Sequence, residues 1–284
     1  MYLVFTDLDG TLLDHHTYSW EAALPALDHL NRHRIPWVLV TSKTRAEVEL
    51  WRRLLGHRHP FIVENGGAAY LPDGNAYQVL EWGTPYAELL NSLQKASQAS
   101  GCRVRGFHEM AADEVAKLTG LPREQAVLAQ QREYDEPFLI LDPDRAGALL
   151  DAIQAEGRRW TKGGRFWHIL GANDKAVAVR AVIEHFKIAR GPMRTIGLGD
   201  GLNDVSFLNV VAKPVLIQSA HSAEMKSRVP RGVVTDRSGP AGWNDALMAL
   251  LTDGSRGNDR SLPRRAPAFR PGSAVPYRFR VPGR

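Results

Sequence analysis

The chain has 284 residues, of which 44% are hydrophobic and 24% are charged, and its formal net charge is +5. This composition is ordinary for a soluble globular protein, and the length suffices for a buried core and for two lobes. The sequence has no apolar run long enough to cross a bilayer, and its single cysteine, Cys102, excludes an internal disulfide. An aspartate as early as Asp7 does not fit a signal peptide, and we therefore expect a cytoplasmic protein.

The N-terminal part of the chain alternates between predicted strands and predicted helices. We predict strands at residues 4–6, 36–40 and 61–63 and helices at residues 21–33 and 44–55. The strands are continuous apolar runs, which is typical of a parallel sheet covered by helices on both faces. Right-handed crossovers bring the carboxyl ends of such strands to one edge, where these folds bind ligands.

The pattern changes after residues 64–67, and a second type of organisation follows. Residues 85–171 mix helical patterns with short strands at residues 102–105, 138–141 and 158–161, which predicts a smaller inserted α/β lobe. The first pattern then resumes with a helix at 174–186, strands at 195–199, 211–217 and 232–235, and a helix at 241–251. The sequence therefore predicts a doubly wound core built from residues 1–84 and 172–252, with residues 85–171 as an inserted domain.

Residues 253–284 form a basic tail. They contain eight Arg and two Asp, a balance of +6, so the rest of the chain sums to about −1 of the total +5. This tail is rich in Pro and Gly, and we predict that it is flexible because it cannot bury enough surface to offset its ordering entropy. Binding of RNA, of an acidic membrane or of a partner protein by the tail is an open alternative.

Two aspartates, Asp7 and Asp9, follow the first predicted strand. Side chains two apart in a strand point the same way, and Gly10 permits the sharp turn that comes next. Two adjacent carboxylates repel each other unless a cation or a shared proton intervenes, a cost that favours a functional site. The alternatives are an ordinary strand-to-turn junction and a calcium loop, but a calcium loop needs acids where Thr11 and Tyr18 stand.

Three further polar segments share this predicted position at the end of a core strand or at the start of a neighbouring helix. They are Thr41-Ser42, Lys175 and Gly199-Asp200-Gly201-Leu202-Asn203-Asp204. Taken singly, these segments also fit a helix N-cap, a solvated lysine and a turn. Taken together, they bring carboxylates, hydroxyls and a lysine to one edge of the sheet.

Phosphoryl transfer requires this set of groups. Three carboxylates can hold Mg²⁺, which prefers oxygen ligands and keeps several waters. The metal and Lys175 would neutralise the transferring group, while a hydroxyl donates to a phosphoryl oxygen. One carboxylate would attack phosphorus and form an acyl phosphate, and another would protonate the departing alkoxide and later activate water.

Other phosphate and metal motifs fail on inspection. Residues 197–202 resemble a dinucleotide-binding fingerprint, but Leu202 stands where the third glycine is required. The sequence has no Gly-Lys-Ser/Thr, which excludes a Walker-type nucleotide loop. His29 and His33 have helical spacing, but Glu does not follow His29 and no third ligand is evident, so we interpret both as surface residues.

In order and spacing, the four segments resemble the motifs of the haloacid dehalogenase superfamily, and the resemblance spans about residues 1–252. The insertion after the third strand is similar to the sugar-phosphatase branch with a C2-type cap. The resemblance implies a Rossmann-like core with a cap, in which Asp7 is the nucleophile and Asp9 is the general acid/base. It also implies that Thr41 and Lys175 are catalytic.

The same resemblance implies Mg²⁺ as the cofactor. The implied ligands are Asp7, the main-chain carbonyl of Asp9, and Asp200, with Asp204 supporting the waters of the metal. From the residues alone, the metal stays one of two explanations for the paired carboxylates, beside a shared proton.

A narrower resemblance lies in residues 41–47, 61–67, 132–138 and 164–168, which look like segments of the mannosyl-3-phosphoglycerate phosphatase family. Most relatives in the branch carry Gly-Arg where this chain has Ser42-Lys43. The residues expected to bind substrate are Ser42, Lys43, Glu64, Asn65, Arg132, Arg165, His168 and Asn203. The cationic side chains suit a carboxylate or phosphate and the others suit sugar hydroxyls. The alternative for each cap residue is an ordinary position on the lobe surface or a contact between the lobes.

The resemblance implies a Mg²⁺-dependent phosphatase that hydrolyses mannosyl-3-phosphoglycerate to the compatible solute mannosylglycerate through an aspartyl phosphate. A phosphatase for glucosyl-3-phosphoglycerate or another sugar phosphate is the nearest alternative, since mannose and glucose differ only at C2. A module that binds nucleic acid or membrane through the Arg-rich tail is the distant alternative. We expect a small phosphorylated glycosyl-glycerate as the partner, with no nucleic acid and no membrane, and the oligomeric state stays open.

Specificity is expected to lie in the inserted lobe. We predict that Arg165 and His168 lie on a Gly-rich loop, at residues 163–164, that swings over the strand ends.

Overall fold

The structure, a computed structural model, describes residues 1–163 and 165–253, and these ranges contain twelve β-strands and ten α-helices. The strands are β1 (Tyr2–Thr6), β2 (Trp37–Val40), β3 (Phe61–Val63), β4 (Ala68–Asp73), β5 (Ala76–Glu81), β6 (Val104–Gly106), β7 (Asp135–Ile140), β8 (Arg159–Gly163), β9 (Phe166–Leu170), β10 (Arg194–Gly199), β11 (Lys213–Leu216) and β12 (Val233–Val234).

The helices are α1 (Leu24–Arg32), α2 (Arg45–Leu55), α3 (Tyr86–Ser100), α4 (Ala112–Thr119), α5 (Arg123–Ala129), α6 (Ala146–Ala155), α7 (Lys175–Arg190), α8 (Val205–Leu208), α9 (Ser222–Arg228) and α10 (Gly239–Asp253). Short 3-10 turns lie at Glu21–Ala23, Glu64–Gly66, Phe107–Glu109, Pro143–Arg145 and Leu202–Asp204. Within the described ranges, no helix combines the length and the apolar character that a membrane span needs.

The larger sheet has eight strands in the order β12-β11-β10-β1-β2-β3-β4-β5. Its first six strands in this order are parallel, and the predicted doubly wound α/β core is confirmed. Helices α1, α2 and α10 cover one face and α7, α8 and α9 cover the other. Side chains of β1 alternate between the two faces, and each fully buried Val, Leu or Phe contributes roughly 1.5–3 kcal/mol to stability.

The register of the central strands aligns their carboxyl ends. Thr6 of β1 pairs with Leu198 of β10 and with Leu39 of β2. The residues that follow each of these strands therefore emerge at the same level on one edge of the sheet. This alignment places the predicted polar segments side by side.

An antiparallel hairpin, β4–β5, extends the larger sheet beyond β3 and was not predicted. Its turn contains Gly74, whose φ of 59° lies in the left-handed region that favours glycine. The Asp73-Gly74 pair between two alternating segments is the signal that could have found it.

The smaller sheet is antiparallel, with the order β6-β7-β9-β8, and its strands fall within residues 104–170. Helices α3 and α6 pack on one face through an apolar cluster, and the opposite face carries apolar residues such as Leu139 and Phe166 beside the polar His168. The boundaries of an inserted domain at residues 85–171 stay a prediction. The predicted flexible tail, residues 253–284, lies outside the described residues except for Asp253, the last residue of α10.

Candidate active site

The turn after β1 fixes Asp7 and its neighbours by main-chain geometry. The N–H of Asp7 donates to the carbonyl of Leu198 at 2.9 Å, which continues the β1–β10 ladder by one residue. Gly10 has φ of +75°, and a Cβ there would lie 2.4 Å from Oδ2 of Asp200. Glycine at this position therefore lets the turn pass close to the loop that carries Asp200.

Lys175 begins α7 and lies between two of the acidic residues. Its Nζ donates to Oδ1 of Asp7 at 2.8 Å and to Oδ1 of Asp204 at 2.6 Å, and the side chain is 1% exposed. Burial alone would lower the pKa of Lys175, but the carboxylates of Asp204 and Asp7 outweigh it and raise this pKa. The ammonium group is thus charged and held against Asp7.

Asp7, Asp200 and Asp204 form an acidic cluster, with one carboxylate oxygen from each lying within 4.8 Å of the others. Burial, and then repulsion by the neighbouring carboxylates, raises the pKa of Asp7 well above its usual value despite the opposing effect of Lys175. Burial and Asp204 also raise the pKa of Asp200 to about 7. The cluster is rich in negative charge and in hard oxygen donors, so it could hold a divalent cation.

The loop after β10 is organised by the carboxylate of Asp204. Its Oδ2 accepts the N–H groups of Asp200 at 3.1 Å and of Gly201 at 3.0 Å. Asp200 itself accepts a hydrogen bond from the hydroxyl of Thr11 at 2.8 Å. Asp204 therefore shapes the loop while Lys175 binds its other oxygen, and Asp200 presents its carboxylate towards the Asp7 turn.

Asp9 lies beside the cluster and is paired with Lys43. Nζ of Lys43 lies 3.0 Å from Oδ2 of Asp9 and 3.4 Å from Oε1 of Glu47, and it sits 5.4 Å from the ring centre of Tyr18. Oδ1 of Asp9 is buried without a hydrogen-bond partner among the described residues. Lys43 therefore fixes the position of one oxygen of Asp9, and the other is a buried acceptor that no group in the described part of the chain satisfies.

Thr41 and Ser42 continue β2 to the same edge. Oγ1 of Thr41 accepts the N–H of Lys43 at 3.2 Å, which leaves its own hydroxyl proton available. The carbonyl of Ser42 accepts a hydrogen bond from Nη1 of Arg132, in the segment before β7, at 2.8 Å. Thr44 caps α2 and donates to the carbonyl of Leu128 at 2.9 Å. These bonds tie the larger sheet to the inserted lobe.

Glu64 and Asn65 form a second connection between the two parts. Both have left-handed backbone conformations, with φ of 46° and 54°. The carboxylate of Glu64 is fully buried and accepts the N–H groups of Glu133 at 3.1 Å and of Tyr134 at 2.8 Å. Burial raises the pKa of Glu64 to about 8, although Arg132 opposes the shift.

A chain of hydrogen bonds continues from Asn65 into the inserted lobe. Nδ2 of Asn203 donates to Oδ1 of Asn65 at 3.1 Å, and Nδ2 of Asn65 donates to Oδ2 of Asp135 at 2.6 Å. Oδ1 of Asp135 lies 2.7 Å from Nδ1 of His168. Four buried or half-buried side chains thus link the loop after β10 to β9.

A cavity of about 730 Å³ lies between the strand ends and the inserted lobe. The predicted site residues that line it are Asp7, Asp9, Ser42, Lys43, Arg132, Arg165, His168, Asp200 and Asn203. The predicted site residues that do not line it are Thr41, Glu64, Asn65, Lys175 and Asp204. Asn65 and Lys175 line a smaller crevice of about 120 Å³ instead, and the substrate contact predicted for Glu64 stays a prediction.

On the lobe side of the cavity, Arg165 and His168 do not lie on the same loop. Arg165 lies in the turn between β8 and β9 and donates to the carbonyl of Leu118. His168 lies within β9, so the prediction that it shares the Gly-rich loop is wrong. The strand places His168 on the face of the smaller sheet that borders the cavity, since Phe166 and His168 are two apart and both line it.

Several residues of the site were missed at the level of sequence. Tyr18 and Glu47 line the cavity and hold Lys43, and Asp135 holds His168. Asn173, just before α7, is buried with both polar side-chain atoms unpartnered among the described residues. Asp135 and Glu47 lie inside segments that carried the resemblance, which is the one signal that could have found them.

Comparisons with known proteins agree with this geometry. Residues 4–115 match the haloacid dehalogenase-like hydrolase family. The chain is 42% identical over 265 residues to the glucosyl-3-phosphoglycerate/mannosyl-3-phosphoglycerate phosphatase of Methanococcoides burtonii, which covers 88% of this chain and 97% of that protein. It is 37% identical over 268 residues to the phosphatase of the same name from Persephonella marina, which covers 90% and 99%.

A solved structure shares the fold at lower identity. A haloacid dehalogenase subclass IIB sugar phosphatase superposes with a TM-score of 0.64 at 18% identity, covering 89% of this chain and 99% of that one. The resemblance found in the motifs is thus confirmed, with glucosyl added to mannosyl in the names of the relatives. With its acidic cluster beside a buried lysine, the chain belongs to this phosphatase family of the haloacid dehalogenase-like hydrolases and is a phosphoric monoester hydrolase.

Proposed function

We propose that this phosphatase hydrolyses mannosyl-3-phosphoglycerate to mannosylglycerate, and that it also accepts glucosyl-3-phosphoglycerate. The observation that carries the proposal is the similarity, over most of the chain, to two phosphatases that are named for both substrates. The cavity supports it, because it extends from Asp7 to lobe residues such as His168 and Arg165 that suit hydroxyls and a carboxylate.

Asp7 is the proposed nucleophile. Lys175 binds Oδ1 of Asp7, so the second carboxylate oxygen is the one that forms the new bond to phosphorus. The bond between phosphorus and the glycerate oxygen breaks as this acyl phosphate forms. The positive charge of Lys175 stabilises the ionised nucleophile and the charge on the transferring group.

Asp9 is the proposed general acid and base. In the first step it gives its proton to the departing glycerate oxygen, and in the second it takes a proton from the water that attacks the acyl phosphate. That attack releases inorganic phosphate and restores the Asp7 carboxylate. Lys43 supports this role because it holds Oδ2 of Asp9 at the cavity that Asp9 lines, while Oδ1 has no hydrogen-bond partner among the described residues.

Mg²⁺ is the proposed cofactor. The residues that would hold it are Asp7, the main-chain carbonyl of Asp9, and Asp200, with Asp204 supporting its waters. The raised pKa values of Asp7 and Asp200 support a cation here, because a bound positive charge offsets the repulsion that burial aggravates. When bound, the ion would stabilise negative charge on the phosphoryl oxygens.

Residues 85–171 are proposed to act as the cap that reads the substrate. Arg132, Arg165 and His168 line the cavity from this lobe, while Ser42, Lys43 and Asn203 line it from the core. Thr41 is the proposed hydroxyl donor to the phosphoryl group. We also infer a reducing compartment, the cytoplasm, since the free Cys102 is buried and unpaired with any other cysteine.

A phosphate-release screen tests the proposal. The purified chain is assayed with mannosyl-3-phosphoglycerate, glucosyl-3-phosphoglycerate, hexose 6-phosphates and p-nitrophenyl phosphate. We expect the two glycosyl-3-phosphoglycerates to have the highest kcat/KM. A hexose phosphate that exceeds both would overturn the substrate assignment while leaving the phosphatase chemistry intact.

A further inference from the structure

Asp135 is a buried carboxylate that the mechanism above does not use. It begins β7, it is fully buried, and it receives hydrogen bonds from both parts of the molecule. His168 contacts its Oδ1 at 2.7 Å and Asn65 contacts its Oδ2 at 2.6 Å. The side chain of Asn65 in turn accepts from Asn203, next to the acidic cluster.

The charge of Asp135 fixes the direction of every bond in this chain. An ionised carboxylate can only accept hydrogen bonds, so Nδ1 of His168 must carry a proton. The amide of Asn65 must then present its NH₂ group to Asp135 and its oxygen to Asn203, which must donate. Burial would raise the pKa of Asp135, but His168 and Arg132 outweigh burial and lower it, which keeps the carboxylate ionised.

The same bonds set the orientation of the His168 ring. With Nδ1 held by Asp135, Nε2 is the nitrogen left to face the cavity that His168 lines. Gly163 of β8 lies next to this nitrogen, since a Cβ on Gly163 would be 3.5 Å from Nε2. This chain of hydrogen bonds runs from the core to the lobe. It is therefore complete only when the lobe lies against the strand ends.

We propose that Asp135 is a positioning residue that orients Nε2 of His168 towards the substrate. Through its hydrogen bonds to Asn65 and from there to Asn203, it couples the orientation of the imidazole to closure of the lobe. The proposal rests on the proposed function, because His168 is taken to contact the glycosyl-glycerate part. Asp135 itself does not touch the substrate. It acts through the imidazole, in the same way as the carboxylates that accept the second N–H of metal-binding histidines.

The neighbouring residue supplies a matched control. Glu136 also lies in β7 and is fully buried, and its Oε1 lies 2.7 Å from Nδ1 of His108. Its Oε2 accepts from the hydroxyl of Tyr86 at 2.6 Å. These partners belong to the inserted lobe and neither lines the cavity, so Glu136→Gln perturbs an equivalent carboxylate–histidine pair without touching the chain.

The experiment compares Asp135→Asn with Glu136→Gln on two substrates, mannosyl-3-phosphoglycerate and p-nitrophenyl phosphate. Asparagine keeps the shape but offers one donor and one acceptor, so the fixed direction of the chain is lost. We expect kcat/KM for the glycosyl substrate to fall by roughly tenfold to a hundredfold, by analogy with the partners that orient metal-binding histidines. Hydrolysis of p-nitrophenyl phosphate should be unchanged, and Glu136→Gln should leave the ratio of the two activities unchanged.

A swap of the two groups provides a rescue. In the double variant Asn65→Asp with Asp135→Asn, the carboxylate and the amide exchange places in the chain of hydrogen bonds, and every donor again meets an acceptor. Aspartate tolerates the left-handed conformation of position 65. We expect this double variant to recover most of the lost ratio, and it also tests the proposal if Asp135→Asn alone does not fold.

Coupling to His168 separates positioning from simple stabilisation. In a His168→Ala background, Asp135→Asn should cause no further loss on the glycosyl substrate, because the group through which it acts is gone. Equal losses on both substrates, no rescue by the swap, or additive losses with His168→Ala would overturn the proposal. If the unaltered protein does not hydrolyse either glycosyl-3-phosphoglycerate, the proposed function has failed, and the same variants on its best sugar phosphate still test Asp135.

Discussion

The two sides of the cavity hold their functional groups in different ways. At the strand ends of the larger sheet, main-chain groups position the acids: Asp7 continues a strand ladder, and Asp204 accepts two neighbouring N–H groups. In the inserted lobe, side chains far apart in sequence position each other, as His168 and Asp135 do. The acids of the core are therefore positioned largely by main-chain groups, with Lys175 as a side-chain partner, whereas His168 is positioned by a side-chain pair alone.

This difference predicts that core substitutions remove all turnover and that lobe substitutions change substrate choice. The largest effect is expected for Asp7→Asn, because an amide keeps the shape of the carboxylate but is a poor nucleophile. We expect kcat to fall by about 10⁶-fold on every substrate, the scale known for removing the nucleophile of a hydrolase. Phosphate release and a thermal melt measure activity and folding in the same preparation.

Equal loss of activity on the glycosyl-3-phosphoglycerates and on p-nitrophenyl phosphate would support the view that the core carries the chemistry for every substrate. Substantial turnover by a pure, folded Asp7→Asn protein would instead mean that the phosphoryl group is not carried by Asp7.

The acidic cluster is the next test of the core. We expect chelation to abolish activity and Mg²⁺ to restore it, with Ca²⁺ supporting activity poorly because it tolerates irregular geometry. Asp200→Ala should raise the Mg²⁺ concentration required for activity more than Asp204→Ala does. The reason is that the carboxylate of Asp204 already binds Lys175 and the N–H groups of the loop. Activity against Mg²⁺ concentration, together with the rise in melting temperature on adding Mg²⁺, measures both effects.

The reverse ranking of these two variants would show that Asp204 rather than Asp200 is the direct ligand. Full activity in excess chelator would remove the metal from the proposal.

The two sides of the cavity also differ in what sequence alone could predict. The strand-end residues were found because apolar strands followed by short polar motifs report local geometry. The pairing of Lys43 with Asp9 was missed, because the two residues follow different strands, β1 and β2, and no local pattern shows that their side chains lie 3.0 Å apart. His168 was predicted to lie on a loop because the glycines of the β8–β9 connection suggest a longer loop than the hairpin has. In the structure Gly163 already pairs with Phe166, so β9 includes His168.

The role of Glu64 shows the limit most clearly. A polar residue after a core strand suits sugar hydroxyls, and the substrate contact of Glu64 stays a prediction. In the structure its carboxylate accepts the main-chain N–H groups of Glu133 and Tyr134, which the sequence did not predict. Its partners are 69 and 70 positions away. Without an alignment or a fold, no local pattern reports such a contact.

The variant Arg165→Ala tests whether the lobe recognises the substrate. If Arg165 forms a desolvated charged hydrogen bond with the glycerate carboxylate, its loss costs roughly 2–3 kcal/mol in kcat/KM for a glycosyl-3-phosphoglycerate. Hydrolysis of p-nitrophenyl phosphate should change much less, because this small substrate does not reach the lobe. Arg103→Ala is the control, since Arg103 is exposed in the same lobe and pairs with Asp142.

If Arg165→Ala reduces both activities equally, Arg165 contributes to catalysis or folding, and the division of labour between the two sides is wrong.

Glu64 offers a pH test of the junction between the two sides. Its pKa is raised to about 8 in the folded protein, above its usual value of 4.5, so the folded state binds its proton more tightly than the unfolded state. Stability from this group is therefore fully present below pH 4.5 and is lost as the pH rises through about 8. Glu64→Gln should remove that loss.

The measurement is the difference in unfolding free energy between Glu64→Gln and the unaltered protein across this pH range. The difference should shift in favour of the variant as the pH rises, while contributions of the acidic cluster cancel. A difference that does not vary with pH would show that Glu64 keeps an ordinary pKa in the folded protein.

The smallest effect is expected at the C-terminus. Every residue assigned to catalysis or recognition lies before α10, so a chain that ends at Asp253 should keep the kcat/KM of the full chain on both substrate types. A shorter chain that ends at Ser238 is the control, because it also removes Trp243, whose buried Nε1 donates to the hydroxyl of Thr6 at 2.9 Å beside Asp7. That control should lose its cooperative melting transition, whereas the chain ending at Asp253 should keep it. A specific loss of the glycosyl activity on removing residues 254–284 would make the Arg-rich tail a third contributor to recognition, and loss of RNA binding would support the alternative that this tail binds nucleic acid.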